Sequence, residues 1–338
     1  MTPLRQPPFT VLSGPEVAEQ IEGSRPELVT VVRRAYLAHA AERSSLPHSS
    51  FLRFAGRERD RIIALPGFLD DDDPVAGIKW ISSFPGNREH GLARASAVLL
   101  LNDMATGYPQ ACMEASIVSA TRTAASAVLG AEALVGDRRA ARIGFIGTGL
   151  IAGHVHRFLR DLGWRTDGYL LHDVDPRAAH RFAERALADG VPAATVLDDG
   201  DAVLSAADLV VLATVASTPH LTRPESLEHR PVVLHLSLRD LAPDLVLRSQ
   251  NITDDTDHAV RERTSLHLTE QQVGHRRFVD GTLADVIEGR LVRDPDRPVL
   301  FSPFGLGVLD LAVGRWVHRR VVADGGGHTV PDFFAQTS

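Results

Sequence analysis

Three cationic side chains fall inside apolar segments of the first half of the chain. Arg53 lies in Phe-Leu-Arg-Phe, Lys79 in Gly-Ile-Lys-Trp, and Arg122 in an alanine-rich stretch. A charge with apolar neighbours must be paired with an opposite charge or must serve a ligand. Both interpretations stay open for these residues: a buried ion pair with Glu114 or another acid, or a site for an anion.

Lys79 is chemically distinct from the other cationic residues. It is the only lysine among the 36 Lys and Arg residues, and the rest are arginine. Guanidinium stays protonated in proteins, whereas an ammonium group can lose its proton when burial and neighbouring cations lower its pKa. Lys79 is therefore the only one of these cations that could move a proton near neutral pH.

The strongest local motif is Gly-Thr-Gly-Leu-Ile-Ala, which begins at Gly147. It follows an apolar strand directly and precedes a helix, the context that makes a G-x-G-x-x-A pattern informative. The first glycine permits a tight turn, and the second lets a pyrophosphate approach the backbone. The helix N-terminus offers free N–H groups to the phosphates. The motif predicts a dinucleotide site with the binding residues Gly147, Thr148, Gly149, Leu150 and Ile151.

An acid at the end of the next strand favours NAD over NADP. Asp173 lies a little over 20 residues beyond the glycines, where a carboxylate accepts hydrogen bonds from the ribose and repels a 2′-phosphate. Two alternatives remain open: Asp173 as a helix N-cap ahead of Pro176, and Arg177 as a partner for a phosphate. A later strand end is expected to line the cofactor through Thr214, Val215, Ala216 and Ser217.

The segments around these residues predict the elements that position them. In the first half, apolar spacing predicts a helix over residues 14–43 and another over residues 113–134. Between them, short apolar runs separated by turn residues predict strands joined by hairpins, at residues 51–54, 61–65, 76–81 and 97–101. The acidic run Asp70–Asp73 is expected to be a solvated loop tip.

Beyond a Gly-, Asp- and Arg-rich stretch at residues 135–140, the pattern changes to alternating strands and helices. Such alternation predicts an α/β fold with a doubly wound parallel sheet of Rossmann type. The strands are expected at residues 142–146, 168–172, 209–213 and 231–236, and the helices at residues 150–162 and 176–189. We expect domains over residues 1–134 and 135–306, with a C-terminal helix in residues 307–338 that packs back on the first domain.

Composition excludes several classes of protein. With 23% charged and 44% hydrophobic residues, the chain is neither disordered nor fibrous. A net charge of −7 argues against nucleic acid or an anionic membrane as partner. Cys112 is the only cysteine, so a disulfide within the chain and a cysteine metal cluster are excluded. No apolar run approaches the length of a membrane span, and residues 1–20 contain no apolar signal core. We expect a cytoplasmic protein with a small-molecule substrate and no metal.

Four segments together resemble the ornithine cyclodeaminase and mu-crystallin family over nearly the whole chain. They are Gly-Ile-Lys-Trp, Arg-Thr-Ala-Ala, the glycine motif, and Ser-Pro-Phe-Gly-Leu-Gly-Val-Leu-Asp-Leu-Ala at residues 302–312. The resemblance implies a homodimer, a substrate-binding and dimerisation domain of α/β type, and a Rossmann domain that binds NAD. It also implies that Arg53, Lys79 and Arg122 surround the carboxylate of an amino-acid substrate beside the nicotinamide.

Three further segments, at residues 60–66, 79–85 and 235–243, resemble one branch of the family. That branch oxidises the CH–NH bond of N-(2-amino-2-carboxyethyl)-L-glutamate with NAD, releasing 2,3-diaminopropionate and 2-oxoglutarate in siderophore and peptide-antibiotic biosynthesis. The alternatives are another family activity (ketimine reductase, alanine dehydrogenase or ornithine cyclodeaminase) and a non-catalytic NAD-binding protein of the mu-crystallin sort.

The resemblance also suggests roles for individual residues. Arg53 and Arg122 are expected to clamp carboxylates, and Lys79 to act as a clamp or a proton-transfer group. Thr123 and Ser237 are expected at the nicotinamide end, and Asp310 matches a family acid that could equally make an interdomain hydrogen bond.

Cyclisation of ornithine is not expected. True cyclodeaminases carry an aspartate in Gly-Gly-Asp-Cys-Pro-Gly, whereas here the region reads Leu-Ser-Leu-Arg-Asp and ends at Asp240. Asp240 either works as a catalytic acid–base group or caps the next helix. His235 is either a further acid–base candidate or a hydrogen-bonded core histidine.

Overall fold

The computed structural model describes residues 6–335 and divides the chain into two compact units. One unit contains the residues up to Arg122 together with those from Leu306 onward, and the other contains Thr123–Gly305. The division falls inside a long helix that was expected to end the first domain. The predicted boundaries at 134 and 306 stay a prediction, and their outer ends, residues 1–5 and 336–338, lie outside the described residues.

The secondary-structure elements are numbered separately for strands and helices. In chain order the strands are β1 Phe9–Leu12, β2 Ser44–Ser45, β3 Ser50–Phe54, β4 Arg57–Leu69, β5 Val75–Ser83, β6 Ala95–Asn102, β7 Pro109–Glu114, β8 Arg142–Ile146, β9 Gly168–His172, β10 Ala194–Val196, β11 Leu209–Leu212, β12 Val232–His235, β13 Gln250–Thr253, β14 Val279–Thr282, β15 Val299–Phe301 and β16 His328–Val330. The helices are α1 Gly14–Ile21, α2 Arg25–Ala40, α3 Ser116–Val135, α4 Leu150–Asp161, α5 Pro176–Ala188, α6 Gly200–Leu204, α7 Pro243–Arg248, α8 Thr256–Ala259, α9 Ser265–Val273, α10 Leu283–Ile287 and α11 Gly307–Ala323.

The first unit is built on one mixed sheet. Its strand order is β16-β1-β7-β6-β5-β4-β2, with β3 also paired to β4, and all pairs are antiparallel except β1 with β7. Helix α11 packs across β4, β5 and β6 and against α2. The hairpin strands expected between residues 51 and 101 are confirmed. The short apolar runs form the strands, and the turn residues between them form the connections.

The prediction of a single helix over residues 14–43 was wrong. The segment forms α1 and α2, separated at Gly23, whose φ of +73° is a left-handed conformation that ends a helix. Pro26 then lies in the first turn of α2, where its missing N–H costs nothing. The apolar spacing runs through both helices, so periodicity alone could not show the break.

The start of α3 also differs from the prediction at residue 113. Met113 belongs to β7, and α3 begins at Ser116. The carboxylate of Glu114 accepts hydrogen bonds from the backbone N–H groups of Ser116 and Ile117, at 2.7 and 3.1 Å. Glu114 therefore satisfies the free N–H groups at the helix start, which gives this acid a structural role.

The acidic run Asp70–Asp73 is not simply a solvated loop tip. Two nitrogens of the Arg315 guanidinium on α11 bind the two carboxylate oxygens of Asp71, at 2.6 and 2.7 Å. Asp73 accepts from Arg319 at 2.5 Å and pairs with Arg315 at 3.3 Å. The run thus docks on α11, a contact that neither segment reveals by itself.

The second unit is a doubly wound parallel sheet, as expected from the alternation. Its strand order is β10-β9-β8-β11-β12-β15-β13-β14, and every neighbouring pair is parallel. Strands β8, β11 and β12 are buried on both faces apart from Arg142, so they read as continuous apolar runs. Parallel strands end at the same edge of a sheet, so the turns after β8, β9 and β11 lie together.

Candidate active site

Lys79 lies on the inward face of β5. The residues that share its face, such as Val75 and Ser83, are buried, whereas Trp80 on the opposite face is exposed. Only 2% of the Lys79 side chain is exposed. Its Nζ donates hydrogen bonds to Asp310 Oδ2 at 2.7 Å and to Ser119 Oγ at 3.2 Å. The apolar neighbours in the sequence thus correctly indicated burial.

The partner acid comes from the first turn of α11. Asp310 is fully buried, and its second oxygen, Oδ1, accepts from Nε of Arg122 at 3.2 Å. Gly77 lets α11 approach β5, because a Cβ there would lie 3.0 Å from a methyl group of Leu311. The ion-pair interpretation therefore holds for Lys79 and Arg122, with Asp310 as the acid in place of Glu114.

The charges of this cluster do not balance. Lys79 and Arg122 carry two positive charges when protonated, and Asp310 supplies one negative charge. A buried charge needs a partner, so the cluster is complete when a second anion is present or when Lys79 loses its proton. Both are properties of a site that binds a carboxylate and moves a proton.

The pKa of Lys79 reflects this imbalance. Burial lowers the pKa of its ammonium group to about 8, although the negative charge of Asp310 acts in the opposite direction. The positive charge of Arg122 lowers it further. A substantial fraction of Lys79 is therefore neutral in mildly alkaline solution, which no arginine at this position would be.

Arg53 does not belong to this cluster. Its side chain is exposed, with the guanidinium 5.2 Å from the centre of the Phe51 ring, so the expectation of an apolar environment was wrong. In the sheet register, Arg53 pairs with Arg61 on β4, and Arg61 pairs with Ser83 on β5. Ser83 is four residues from Lys79, or about 13 Å along the strand. Arg53 and Lys79 share a sheet face but do not meet.

The glycine motif has the geometry that a dinucleotide requires. Gly147 follows β8 with φ of +85°, and a Cβ there would lie 2.6 Å from the carbonyl oxygen of Ala213, so only glycine fits. A Cβ on Gly149 would meet nothing within 4 Å, which leaves its backbone open to a ligand. Gly149 is the N-cap of α4, so the free N–H groups of that helix begin here.

Exposed apolar side chains surround this turn. Leu150 after the glycines, Val174 after β9 and Val215 after β11 are 64%, 96% and 67% exposed. Apolar side chains at the carboxyl edge of a parallel sheet provide flat contacts for the rings of a nucleotide. Together with Gly147 and Gly149, they fit a dinucleotide cofactor.

Asp173 holds the glycine turn in place. Its Oδ2 accepts from both the N–H and the hydroxyl of Thr148, at 2.7 and 2.9 Å, and its Oδ1 accepts from the N–H of Asp175 at 3.0 Å. The N-cap of α5 is Asp175, so the alternative in which Asp173 caps that helix was wrong. A carboxylate has about four acceptor sites, so Asp173 retains capacity for a ribose hydroxyl.

Asp240 is the centre of a buried hydrogen-bond network. No part of its side chain is exposed, and its Oδ1 accepts from Thr214 Oγ1 and from His220 Nε2, the latter at 3.0 Å. Its Oδ2 lies 3.4 Å from Nε2 of His235. The N-cap of α7 is Ala242, so Asp240 does not cap that helix. In this arrangement Asp240 positions Thr214 and His220, and its role as a catalytic acid–base group stays a prediction.

The protonation states of this network follow from its hydrogen bonds. Burial acts to raise the pKa of Asp240, but hydrogen bonds from His220 and His235 outweigh it and hold the pKa well below its usual range. The hydrogen bond to Asp240 raises the pKa of His220, whose side chain is 39% exposed. His235 is buried and also contacts Ser302 Oγ at 3.2 Å, which makes it a hydrogen-bonded core histidine.

Other expected cofactor residues lie on the second unit. Thr123 is half-buried on α3, and Ser237 is half-buried just beyond β12. Ile151 lies in the first turn of α4, and the loop after β11 carries Ala216 and Ser217. The sequence reasoning missed Ser119 and His220. His220 could have been noticed, because it lies beyond a strand end in the same loop as four expected cofactor residues.

A doubly wound sheet with this glycine turn defines a Rossmann-type dinucleotide-binding protein, joined to a unit with a buried Lys–Asp–Arg cluster. The chain belongs to the ornithine cyclodeaminase/mu-crystallin family, whose model matches residues 49–325.

Individual relatives cover nearly the whole chain. N-((2S)-2-amino-2-carboxyethyl)-L-glutamate dehydrogenase of Staphylococcus aureus is 26% identical over 327 residues, which are 92% of this chain and 95% of that protein. Among solved structures, Thermococcus litoralis Δ1-pyrroline-2-carboxylate reductase with NADH and L-proline has a TM-score of 0.87 at 22% identity, covering 95% of this chain and 100% of that one. An archaeal alanine dehydrogenase dimer with bound NAD has a TM-score of 0.84 at 24% identity, covering 96% and 99%.

Two features are absent from the residues that the structure describes. None of their helices is long and apolar enough to cross a membrane. Residues 6–335 also contain no cluster of three or more His, Cys, Asp or Glu side chains arranged to hold a metal ion.

Proposed function

We propose that this protein is an NAD-dependent oxidoreductase that cleaves N-(2-amino-2-carboxyethyl)-L-glutamate to 2,3-diaminopropionate and 2-oxoglutarate. The observation that carries the proposal is the buried cluster in which Lys79 and Arg122 share the single carboxylate of Asp310. The excess positive charge suits a substrate carboxylate, and an amine with a pKa of about 8 suits proton transfer. The similarity to the Staphylococcus aureus enzyme supports the choice of substrate.

The substrate is a secondary amine that carries three carboxylates. Arg122 and Lys79 hold the carboxylate next to the reacting α carbon, and Arg53 holds a second carboxylate of the same molecule. Two or more fixed carboxylates define the orientation of the α carbon, which lowers the entropic part of the barrier. Asp310 keeps both cations in place before the substrate arrives.

The cofactor residues are those of the glycine turn and its neighbours. Gly147, Thr148 and Gly149 receive the pyrophosphate of NAD, with Leu150 and Ile151 in the first turn of α4. Asp173 receives a ribose hydroxyl through its remaining acceptor capacity and so selects NAD over NADP. The other residues assigned to the cofactor are Thr123, Thr214, Val215, Ala216, Ser217 and Ser237.

Bound NAD supplies the hydride acceptor that oxidises the C–N bond of the glutamate half to a C=N bond. The neutral amine of Lys79 takes the proton that the bridging nitrogen loses in this oxidation. Water then adds to the imine carbon, and the C–N bond breaks to give the ketone of 2-oxoglutarate and the amine of 2,3-diaminopropionate. Lys79, now protonated, returns its proton to the departing nitrogen.

The outer face of the first sheet supports a homodimer. Leu52, Trp80 and Val98 lie on three strands, share the face opposite Lys79, and are 47%, 43% and 43% exposed. A contiguous apolar sheet face of this kind marks a protein interface. A second copy of the chain is the partner we assign to it, in agreement with the dimeric archaeal relative.

The direct test is turnover of the purified protein with NAD and the conjugate. We expect NADH absorbance to rise with equal amounts of 2-oxoglutarate and 2,3-diaminopropionate. NADH formation from alanine alone would indicate an alanine dehydrogenase, and proline from ornithine would indicate a cyclodeaminase. Binding of NAD without turnover of any of these compounds would indicate a non-catalytic protein of the mu-crystallin sort.

A further inference from the structure

A histidine at the end of the loop after β11 is fixed by its backbone. The N–H groups of His220 and Leu221 both donate to the carbonyl of Asp240, at 3.0 and 2.9 Å. Leu221 also forms an isolated parallel bridge with Leu241, and its carbonyl accepts from the N–H of Ala242 at 3.0 Å. These contacts tie the end of the loop to the segment beyond β12, so His220 has a defined place in the second unit.

Asp240 also orients the imidazole ring of His220. Its Oδ1 accepts a hydrogen bond from His220 Nε2, at 3.0 Å. An ionised carboxylate only accepts hydrogen bonds, so Nε2 carries a proton, and in the neutral ring Nδ1 then has a free lone pair. Within residues 6–335, the ring of His220 makes no hydrogen bond other than that to Asp240. The His220 side chain is 39% exposed and Asp240 is fully buried, so solvent reaches the histidine and not the acid.

The same oxygen of Asp240 links His220 to the strand end that carries expected cofactor residues. Oδ1 accepts from Thr214 Oγ1 as well as from His220 Nε2, so these two atoms lie within two hydrogen-bond lengths of each other, about 6 Å. Thr214 follows Ala213, whose carbonyl oxygen lies so close to Gly147 that only glycine fits there. His220 is therefore placed at the carboxyl edge of the parallel sheet, where a doubly wound fold binds its ligand.

Two acids act on the charge of His220. The hydrogen bond to Asp240 raises the pKa of its imidazole, and the charge of Asp201 on α6 acts in the same direction, whereas burial opposes both. The ordinary pKa of histidine is about 6.5, so the shift moves it toward neutral pH. An acid–base group works best when its pKa is close to the working pH. The charges around His220 thus suit a group that accepts and returns a proton.

The proposed reaction needs a second proton acceptor. Lys79 takes the proton that the bridging nitrogen loses in the oxidation, so it is already protonated when water adds to the imine. Arg53 and Arg122 stay protonated and accept nothing. Water attacks a carbon more readily when a base removes its proton. The acceptor must lie near the nicotinamide, because the imine carbon has just given its hydride to that ring, and the loop after β11 is assigned to the cofactor.

We propose that His220, oriented by Asp240, is the general base that activates the water added to the imine. The inference rests on the proposed function and assigns its hydrolytic half to a residue of the second unit. Nδ1 of His220 takes one proton from water while the water oxygen bonds to the imine carbon. The electron pair of the C=N bond moves to the nitrogen, which takes the proton held by Lys79.

The resulting carbinolamine then collapses. Its hydroxyl group loses a proton to solvent and becomes the ketone of 2-oxoglutarate, and the C–N bond breaks with its electron pair on nitrogen. His220 returns its proton to that nitrogen, which leaves as the amine of 2,3-diaminopropionate. The histidine is neutral again at the end, and one proton is released for each NADH formed.

His220→Gln separates proton transfer from structure. The amide nitrogen of glutamine can donate to Asp240 as Nε2 does, but the side chain takes up no proton. After rapid mixing with NAD and the conjugate, the variant should form one NADH per site at the wild-type rate. Release of 2-oxoglutarate should then be slower by roughly 100-fold or more, the scale of acid–base catalysis. Quenching with borodeuteride should return the accumulated imine to the conjugate with one deuterium.

Two results would overturn the base. If Asp240 itself takes the proton from water, release of 2-oxoglutarate stays near the wild-type rate in His220→Gln. If His220 is only structural, NADH formation and 2-oxoglutarate release slow down together, and no deuterium enters the conjugate. His220→Ala guards against a folding defect, because free imidazole should restore its release of 2-oxoglutarate. His180→Gln, exposed on α5, is the matched control and should change neither rate.

A spectroscopic measurement separates failure of the base from failure of the proposed reaction. Nitrogen NMR of the NAD-loaded protein with labelled histidine reports which ring nitrogens carry protons, and it needs no turnover. The signals absent from His220→Gln identify His220. A ring with a proton on Nε2 and none on Nδ1 in mildly alkaline solution would support the base even if the conjugate is not cleaved. A proton on Nδ1 there would exclude the base even if the conjugate is cleaved.

Discussion

The Nζ of Lys79 lies 2.7 Å from Oδ2 of Asp310, and both groups are almost completely buried. Arg122 occupies the other carboxylate oxygen at 3.2 Å. One acid therefore supports two cations in a place where water does not compensate their charge. Burial, helped by the charge of Arg122, lowers the pKa of Lys79 to about 8 although Asp310 acts to raise it. The cluster therefore has two separable properties, its charge and the ability of Lys79 to lose a proton.

Lys79→Arg separates those two properties. The variant keeps the positive charge but loses the amine that can become neutral, so we expect kcat to fall by roughly 100-fold or more, the scale of general acid–base catalysis. KM should change much less. A Lys79→Met variant, which loses the charge as well, should raise KM. Near-normal turnover of Lys79→Arg would leave only a clamping role for this residue.

The activity of the wild-type protein should depend on pH through Lys79. Only the neutral amine accepts a proton, so kcat/KM should rise about tenfold per pH unit below a pKa of about 8 and level off above it. A pH profile of kcat/KM measures this limb directly. If the limb persists in Lys79→Arg with detectable activity, another group is responsible for it.

Asp310→Asn should both destabilise the protein and move that limb. Removing the carboxylate leaves Lys79 and Arg122 together without a buried counter-charge, which costs about 3–5 kcal/mol in free energy of unfolding. Asp310 acts to raise the pKa of Lys79, so its loss should shift the rising limb of the pH profile to lower pH. Denaturant unfolding and the pH profile measure the two effects. Asp324→Asn, at the exposed end of α11, is the control and should change neither.

Asp240→Asn tests the network on the second unit. The pKa of Asp240 is lower in the folded protein than the unfolded value of about 3.9, so its stabilising contribution is present above about pH 4 and is lost as the pH falls further. The variant should lose about 3 kcal/mol of unfolding free energy at pH 7 and show a weaker decline in acid. Unfolding at several pH values measures this. The exposed Asp296→Asn variant should behave like the wild type.

Asp173→Ala should weaken binding of the cofactor in two ways. It removes an acceptor for the ribose and releases Thr148, whose N–H and hydroxyl both bind Asp173. We expect the Kd for NAD to rise by roughly tenfold or more, and the discrimination against NADP to decrease because the repulsive carboxylate is gone. Titration with both nucleotides tests this. Thr148→Val keeps the carboxylate, so it should weaken NAD binding while preserving discrimination.

Trp80→Glu should convert the proposed dimer into a monomer. Trp80 is 43% exposed on the apolar sheet face. A glutamate carboxylate at this position would be buried in the interface without a partner, which is costly and disfavours the dimer. Mass measurement in solution gives the oligomeric state. Val322→Glu places the same charge on α11, where Val322 is 49% exposed, and should leave the mass unchanged. A wild-type protein that is monomeric at all concentrations would exclude the dimer.

Local sequence patterns predicted most of the elements and the glycine turn after β8. The alternation of strands and helices predicted a parallel sheet, and the glycine motif predicted the turn at Gly147, because both depend on residues that are adjacent in the chain. Burial of Lys79 was also predicted correctly from its apolar neighbours, although the same reasoning failed for Arg53, which is exposed. Asp173 was correctly placed at the strand end, although its contact with Thr148 was not expected.

The tertiary structure alone decided which charges meet. Lys79 and Asp310 are 231 residues apart in the chain, and only the packing of α11 across β5 brings them together. Arg53 looked equivalent to Lys79 in sequence, but the strand register places it beside Arg61 and not beside the buried cluster. Asp240 was a catalytic candidate by position, and only the tertiary structure shows that its buried carboxylate binds Thr214 and His220. Electrostatic partners depend on distances in space, which a linear pattern of residue types does not contain.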